Sequence, residues 1–186
     1  MAHHTFLFTD LVGFTALTAA RGDDTAADVA LGFYRRVRGL LEQHCADEVK
    51  TMGDALMLRC DAPADAVQLG LRIVRELEEE PGMPPVRVGM HTGPAVEREG
   101  DWYGTTVNIA ARLCAAAGGG EVLVSDATRD AAGPMRKVKL GDRRLHWLKN
   151  VTEPVPAHLA LEQERPPMPL RILRSLNPRN ATPGMA

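Results

Sequence analysis

The sequence predicts an α+β domain with a ferredoxin-like core: two helices on one face of an antiparallel sheet, in the order β-α-β-β-α-β. Three observations carry this prediction. Runs of alternating β-formers and runs of apolar residues at three-to-four spacing succeed one another in that order. Gly53-Asp54 separates two short alternating runs and suits a tight hairpin turn. At 186 residues the chain fits one domain, large enough for a core that needs no disulfide or structural metal.

The first strand is Thr5 to Thr9, alternating around Phe6 and Phe8, and Gly13 suits a sharp exit turn, which places Asp10 at a strand end. From about Thr25 to His44, Val29, Phe33, Val37 and Leu40/Leu41 recur with helical spacing behind Asp23 or Asp24 as N-cap, so this helix covers a sheet. Glu48 to Met52 and Ala55 to Cys60 are strands, with Asp54 at the hairpin tip between them. Asp61-Ala62-Pro63 opens a second helix that runs to about Glu79 with Val67, Leu71 and Val74 on one face; Pro81-Gly82 and Pro84-Pro85 end it. Val86 to His91 reads as a buried strand, with Pro94 to Arg98 as its hairpin partner across Thr92-Gly93. A third helix spans roughly Thr106 to Ala117, closed by Gly118-Gly119-Gly120. Glu121 to Val124 is a strand, and Ser125-Asp126 cap a short helix to about Ala132. Further strands are predicted near Arg136 to Leu140 and His158 to Leu161. After Glu164 the composition turns to Pro and Arg, so residues 1–164 are expected as the folded domain and 165–186 as a disordered tail.

Composition narrows the function. With 22 basic and 24 acidic residues and a net charge of -2, there is no global field to attract nucleic acid or an anionic membrane. The three cysteines, Cys45, Cys60 and Cys114, lack Cys-x-x-Cys spacing, which argues against a disulfide framework or zinc site and for a reducing compartment. No run approaches the length of a membrane span, and the N-terminus enters a strand too early for a signal peptide; the expectation is a soluble, cytoplasmic protein. His3 and His4 are expected in a frayed terminus, with no role.

Two carboxylates at turns carry the first chemical signal. Asp10 lies in Phe8-Thr9-Asp10-Leu11-Val12-Gly13-Phe14-Thr15, and Asp54 in Lys50-Thr51-Met52-Gly53-Asp54. Magnesium takes one or two carboxylates and leaves its other positions to water and substrate phosphates, so such a pair points to a nucleotide. Gly13, Phe14 and Thr15 follow Asp10 where free backbone N–H groups can meet a triphosphate. Singly, Asp beside Gly is also an ordinary turn.

Two later blocks extend the pattern: Arg87-Val88-Gly89-Met90-His91-Thr92-Gly93, then Gly100-Asp101-Trp102-Tyr103-Gly104-Thr105-Thr106-Val107-Asn108-Ile109-Ala110-Ala111-Arg112-Leu113. The four blocks, in this order, resemble the signature of the class III nucleotidyl cyclase catalytic domain, the adenylate and guanylate cyclase family, over about Thr5 to Leu161. The resemblance implies the nucleotidyl cyclase fold and an adenylate cyclase that converts ATP to cyclic AMP and pyrophosphate in intracellular signal transduction. It assigns Asp10 and Asp54, with the Leu11 carbonyl, to two Mg2+ or Mn2+ ions per site. Lys50 and Asp101 match the purine-reading pair, Asn108 the residue that orients the ribose, and Arg112 the arginine that stabilises the pentavalent phosphorus. Arg87, and Lys149 in Leu148-Lys149-Asn150-Val151, match triphosphate contacts.

The residue types suit those parts. Adenine offers a donor at N6 and an acceptor at N1, so a Lys donor with an Asp acceptor favours ATP, whereas guanylate members carry Glu and a small residue there. Asn108 and Arg112 are four apart and share one helical face. The resemblance further implies a head-to-tail homodimer whose two sites each draw metal aspartates from one subunit and Lys, Asp, Asn and Arg from the other. His91 fits a packed, hydrogen-bonded histidine, and Trp102 and Tyr103 fit core or interface. The stretch from Val96 to Asn108 is shorter than in many members, as in a short-arm subgroup. The competing readings are a cyclase-like nucleotide-binding regulatory module and a guanylate cyclase.

Overall fold

The computed structural model describes residues 3–163, and its first strand lies inside the sheet. β1 (His3–Leu11) pairs antiparallel with β3 (Ala55–Cys60) on one side and β4 (Val86–Pro94) on the other. β2 (Ala46–Met52) is the edge strand beyond β3. On the far side β7 (Val122–Ser125) follows β4, and then β10 (Val155–Glu162), which pairs with both β8 (Val138–Leu140) and β9 (Arg144–His146). The order β2-β3-β1-β4 is that of the ferredoxin-like core. The sheet is mixed, because β4 and β7 run parallel. A parallel pair needs a long crossover, and the chain supplies one containing α4 (Thr105–Ala116).

Period-2 alternation along β1 divides the core in two. Leu7 and Leu11 pack with Phe33 and Val37 of α2 (Asp23–Leu41) and with Leu69 and Ile73 of α3 (Pro63–Glu78). Phe6 and Phe8 face the other way, onto Met57 and onto Val107, Ala110 and Cys114 of α4. The two expected helices thus share one face, and a third covers the opposite one. Asp10, two residues beyond Phe8, belongs to the α4 face.

Gly89 explains how close α4 lies. A Cβ there would collide with the backbone of Leu113 and Cys114, so only glycine lets the helix seat on β4. The Cys114 thiol, close enough to donate to the Arg87 carbonyl at 3.6 Å, lies in the same contact.

Several boundaries differ from the sequence reading. β4 does not turn at Thr92-Gly93: its register with β1 is unbroken to His3↔Pro94, and buried Thr92 bonds Thr5 across the strands at 2.8 Å. The hairpin instead joins β5 (Val96–Arg98) to β6 (Asp101–Tyr103) around Glu99 and Gly100, whose φ values of 54° and 79° suit a primed turn. An additional helix, α1 (Phe14–Arg21), occupies the expected exit turn; it buries none of its residues, so no apolar stripe marks it. Gly22, not Asp23 or Asp24, is the N-cap of α2, and the two aspartates sit in its first turn, where they complement the helix dipole. β9 was not expected, and at three residues it is too short to show a pattern. Ser125 does cap α5 (Asp126–Ala132), accepting from Thr128 N–H at 3.2 Å. His3 and His4 are strand residues rather than a frayed end: His4 bonds Asp61 at 2.7 Å and stacks edge-on at 4.6 Å against Trp102. The tail expected after Glu164 lies outside the described residues. No helix among the described residues is long and apolar enough to cross a membrane.

The two glycines test this packing. Gly89→Ala is expected to cost about 2–3 kcal/mol in urea unfolding, because the helix backbone has to move. Gly39→Ala, in α2 with open space around it, is expected to leave stability unchanged or raise it by about 0.5–1 kcal/mol.

Candidate active site

The register of β1 assembles one cluster. Asp10 is paired across the sheet with Ala55 on one side and Arg87 on the other, so the carboxylate sits between the hairpin tip and a guanidinium. Arg87 donates from Nε to Asp10 Oδ2 at 2.7 Å and from Nη2 to the same oxygen; its Nη1 reaches the Ala115 carbonyl near the end of α4 at 3.0 Å. Asp54 follows Gly53, whose φ of 63° makes the two-residue turn, and Leu11 N–H reaches the Asp54 carbonyl at 3.3 Å. Burial, with the Asp10 charge adding to it, raises the Asp54 carboxyl above the usual range, and Arg87 opposes the shift. Two carboxylates held this way offer the oxygen donors that a divalent cation takes.

The loop after Asp10 continues the cluster. Val12 N–H bonds Pro85 O at 2.8 Å, and Gly13 takes the left-handed conformation at φ 79° before α1 starts. The first intrahelical bond runs from Leu17 N–H to Gly13 O at 3.0 Å, leaving the N–H groups of Phe14, Thr15 and Ala16 at the open end of the helix. No side chain caps that end, so its dipole faces the same region as the carboxylates.

A second cluster lies on the α4 side of the hairpin. Lys50 is opposite Met57, whose side chain is in the α4 layer, so Lys50 also faces that way. Its Nζ bonds Asp101 Oδ2 at 2.5 Å, joining β2 to β6. This bond, with a second from Trp102 N–H at 2.8 Å, holds the Asp101 carboxyl below its ordinary range. Asn108 and Arg112 project together from the exposed face of α4, while Val107, Ala110, Leu113 and Cys114 bury the opposite face on the sheet. They therefore point away from the strands that carry Asp10 and Asp54. Lys149 is exposed in the turn after β9, following buried Leu148.

The expected residues thus fall into two groups that one chain does not bring together. Among the described residues no cluster of three or more His, Cys, Asp or Glu could hold a metal. Asp10 and Asp54 with a backbone carbonyl suit magnesium or manganese, which complete their shells with phosphate and water, and not a cage-bound metal. His91 is packed, as its context suggested: its Nδ1 meets Ser125 Oγ at 2.8 Å, and burial pushes its pKa down to about 4. Trp102 packs at 5.5 Å from the Phe6 ring in the core, whereas Tyr103 is 54% exposed. Two contributors had no sequence signal: the Ala115 carbonyl that steadies Arg87, and Tyr34, whose hydroxyl donates to the Gly53 carbonyl at the hairpin tip.

Comparison with known proteins identifies the family. The family model described as the adenylate and guanylate cyclase catalytic domain matches residues 2–145. A pH-sensitive adenylate cyclase of Mycobacterium tuberculosis is 39% identical over 132 residues, covering 69% of this chain and 32% of the relative. An adenylate cyclase of Streptomyces griseus is 36% identical over 120 residues, covering 64% of this chain and 30% of that protein. The chain thus spans about a third of the length of these curated relatives. Among solved structures, a Trypanosoma brucei adenylate cyclase in its monomeric state superposes with a TM-score of 0.77 at 26% identity, over 86% of this chain and 90% of that one. The chain belongs to the adenylate and guanylate cyclase catalytic domain family.

The packed histidine gives a pH signature. The fold keeps His91 neutral down to about pH 4, while the unfolded chain protonates it near 6.5. Protonation of the unfolded state therefore draws stability away as the pH falls between those values, by up to about 3 kcal/mol. Urea unfolding is expected to show this loss, and His91→Gln to lack that component of the slope.

Proposed function

We propose that the chain is an adenylate cyclase catalytic domain, converting ATP to 3′,5′-cyclic AMP and pyrophosphate at two equivalent sites of a head-to-tail homodimer. The observation that carries this reading is the opposed orientation of the two clusters. Asn108 and Arg112 face away from the sheet that holds Asp10 and Asp54, so a complete site needs a second copy to present one cluster to the other. Lys50 and Asp54, four residues apart on one hairpin, then serve different ATP molecules.

Each residue has a part in the chemistry. Lys50 donates to adenine N1 and Asp101 accepts from the N6 amino group, and their hydrogen bond to each other presets that spacing. Asn108 holds the ribose so that its 3′-hydroxyl lies in line with the α-phosphorus. The new bond forms from the 3′-oxygen to the α-phosphorus as the bond to the bridging oxygen of the β-phosphate breaks, and the hydroxyl proton leaves to solvent. Arg112 donates to the equatorial oxygens as their charge grows; a donor so placed is worth several kcal/mol of barrier. The open N–H groups of α1, with Arg87 and Lys149, bind the triphosphate and then the departing pyrophosphate. Asp10, Asp54 and the Leu11 carbonyl would hold Mg2+ or Mn2+, two per site, which when bound would lower the pKa of the attacking hydroxyl and neutralise charge on the leaving group. The product places the chain in intracellular signal transduction.

Complementation tests the shared site. Asp54→Ala and Arg112→Ala are each expected to lose about a hundredfold or more in turnover with Mn-ATP. Mixed in equal amounts, they are expected to recover up to about a quarter of wild-type activity, since half the dimers are mixed and each mixed dimer has one intact site. No recovery with mixed dimers present contradicts the shared site. Side-by-side turnover is expected to favour ATP over GTP because of Lys50 and Asp101.

A further inference from the structure

The hairpin that carries both Lys50 and Asp54 is a weakly supported element. β2 is an edge strand with a single neighbour, β3, and the pairing shifts register between Glu48 and Lys50. Beyond that irregularity, Thr51, Met52 and Gly53 are exposed. From β1 the tip receives the 3.3 Å bond of Leu11 N–H to the Asp54 carbonyl. With that bond and the Lys50–Asp101 bond to β6 alone, an edge hairpin would let the Asp54 carboxylate wander relative to Asp10.

A second support comes from α2. Tyr34 donates its hydroxyl to the carbonyl of Gly53, next to Asp54. One turn along the helix, Arg38 forms a two-pronged ion pair with Glu48, from Nε at 2.7 Å and Nη2 at 2.8 Å. The Arg38 guanidinium also lies over the Tyr34 ring, 5.6 Å from its centroid, so the two anchors brace each other. Tyr34 is oriented from its other side by the buried Phe33 ring at 5.6 Å. One helix face therefore grips the hairpin at Glu48, within β2, and at Gly53, its tip, with Lys50 and the bulge between the grips. The Tyr34 phenol is raised above its ordinary value, by burial first and then by the nearby Asp54 charge, which agrees with its position at the tip.

We propose that Tyr34 and Arg38 are a two-point clamp through which α2 sets the position of the β2–β3 hairpin, and that Tyr34 is thereby a positioning residue for the Asp54 carboxylate. The proposal rests on the reading of Asp10 and Asp54 as ligands of the divalent cation. Successive carbonyls, of Gly53 and Asp54, are fixed from two elements, α2 and β1, and this leaves the carboxylate between them little freedom. Two anchors on one rigid helix hold a strand's direction as well as its distance.

Tyr34→Phe removes the hydroxyl and keeps the ring, its contact with Phe33, its packing at the edge of the core and its place under Arg38. Two measurements on the full chain test the clamp. Amide hydrogen exchange of the metal-free protein is expected to quicken several-fold across residues 50–57 in Tyr34→Phe, with no change in α3 or α4. Mn2+ binding in the presence of a non-cyclisable ATP analogue, followed by electron paramagnetic resonance, is expected to weaken about five- to tenfold, a size consistent with loss of one positioning hydrogen bond. Analogue affinity at saturating Mn2+ is expected to move less than twofold. Wild-type exchange in the hairpin together with wild-type Mn2+ affinity would overturn the clamp. Asp54→Asn separates the two layers of the argument. If it leaves Mn2+ affinity intact, the metal reading fails, and faster hairpin exchange in Tyr34→Phe still supports the clamp; if it abolishes Mn2+ binding while Tyr34→Phe binds and exchanges like wild type, only the clamp fails.

Discussion

The register of β1 between β3 and β4 is the constraint on which the rest depends. It sets Asp10 opposite Ala55 and Arg87, and so beside Asp54 at the hairpin tip. Side chains alternate between faces along a strand, so a slip of one residue would carry Asp10 into the α2/α3 layer and turn Leu7 and Leu11 out of their core. The buried apolar faces on both sides therefore fix the carboxylate. Burial of Phe6 and Phe8 under α4, and of Leu7 and Leu11 under α2 and α3, holds Asp10 beside Asp54, whose own carboxyl is raised above its usual range first by burial.

The position of α4 follows from the same sheet. Gly89 allows its backbone to press on β4, which buries one helical face and leaves Asn108 and Arg112 on the other. The helix thus divides the polar residues of the chain. Asp54 at the hairpin tip and Arg87 gather around Asp10, whereas Asn108 and Arg112 face outward from α4 and Lys50 pairs with Asp101 of β6. Such a division is uneconomical for a site made by one molecule. It suits a two-fold assembly, where one self-complementary surface makes two sites.

Residues whose chemistry is local were legible in the sequence. Asp10 and Asp54 stood at turn signals, and Asn108 and Arg112 announced a shared face by their spacing. The six core elements were also readable, because each has its own apolar period. What remained hidden depends on contacts between elements. The parallel pairing of β4 with β7 needs the whole crossover to be placed first. Thr92-Gly93 reads locally as a turn, yet β4 continues through it because Thr92 is bonded to Thr5 inside the sheet. α1 fully buries none of its residues and so leaves no clear stripe. Tyr34 looks like any half-exposed helix residue until α2 is laid beside the hairpin tip, and Arg87 appears beside Asp10 only once β1 and β4 are in register.

The claim that one chain holds two half-sites is tested most directly by specific activity as a function of protein concentration, with sedimentation measured on the same samples. The account predicts that cyclic AMP formation per chain from Mn-ATP rises with concentration and tracks the dimer fraction, falling toward zero where the protein sediments as a monomer. Turnover per chain that stays constant into the range where only monomer sediments would contradict it.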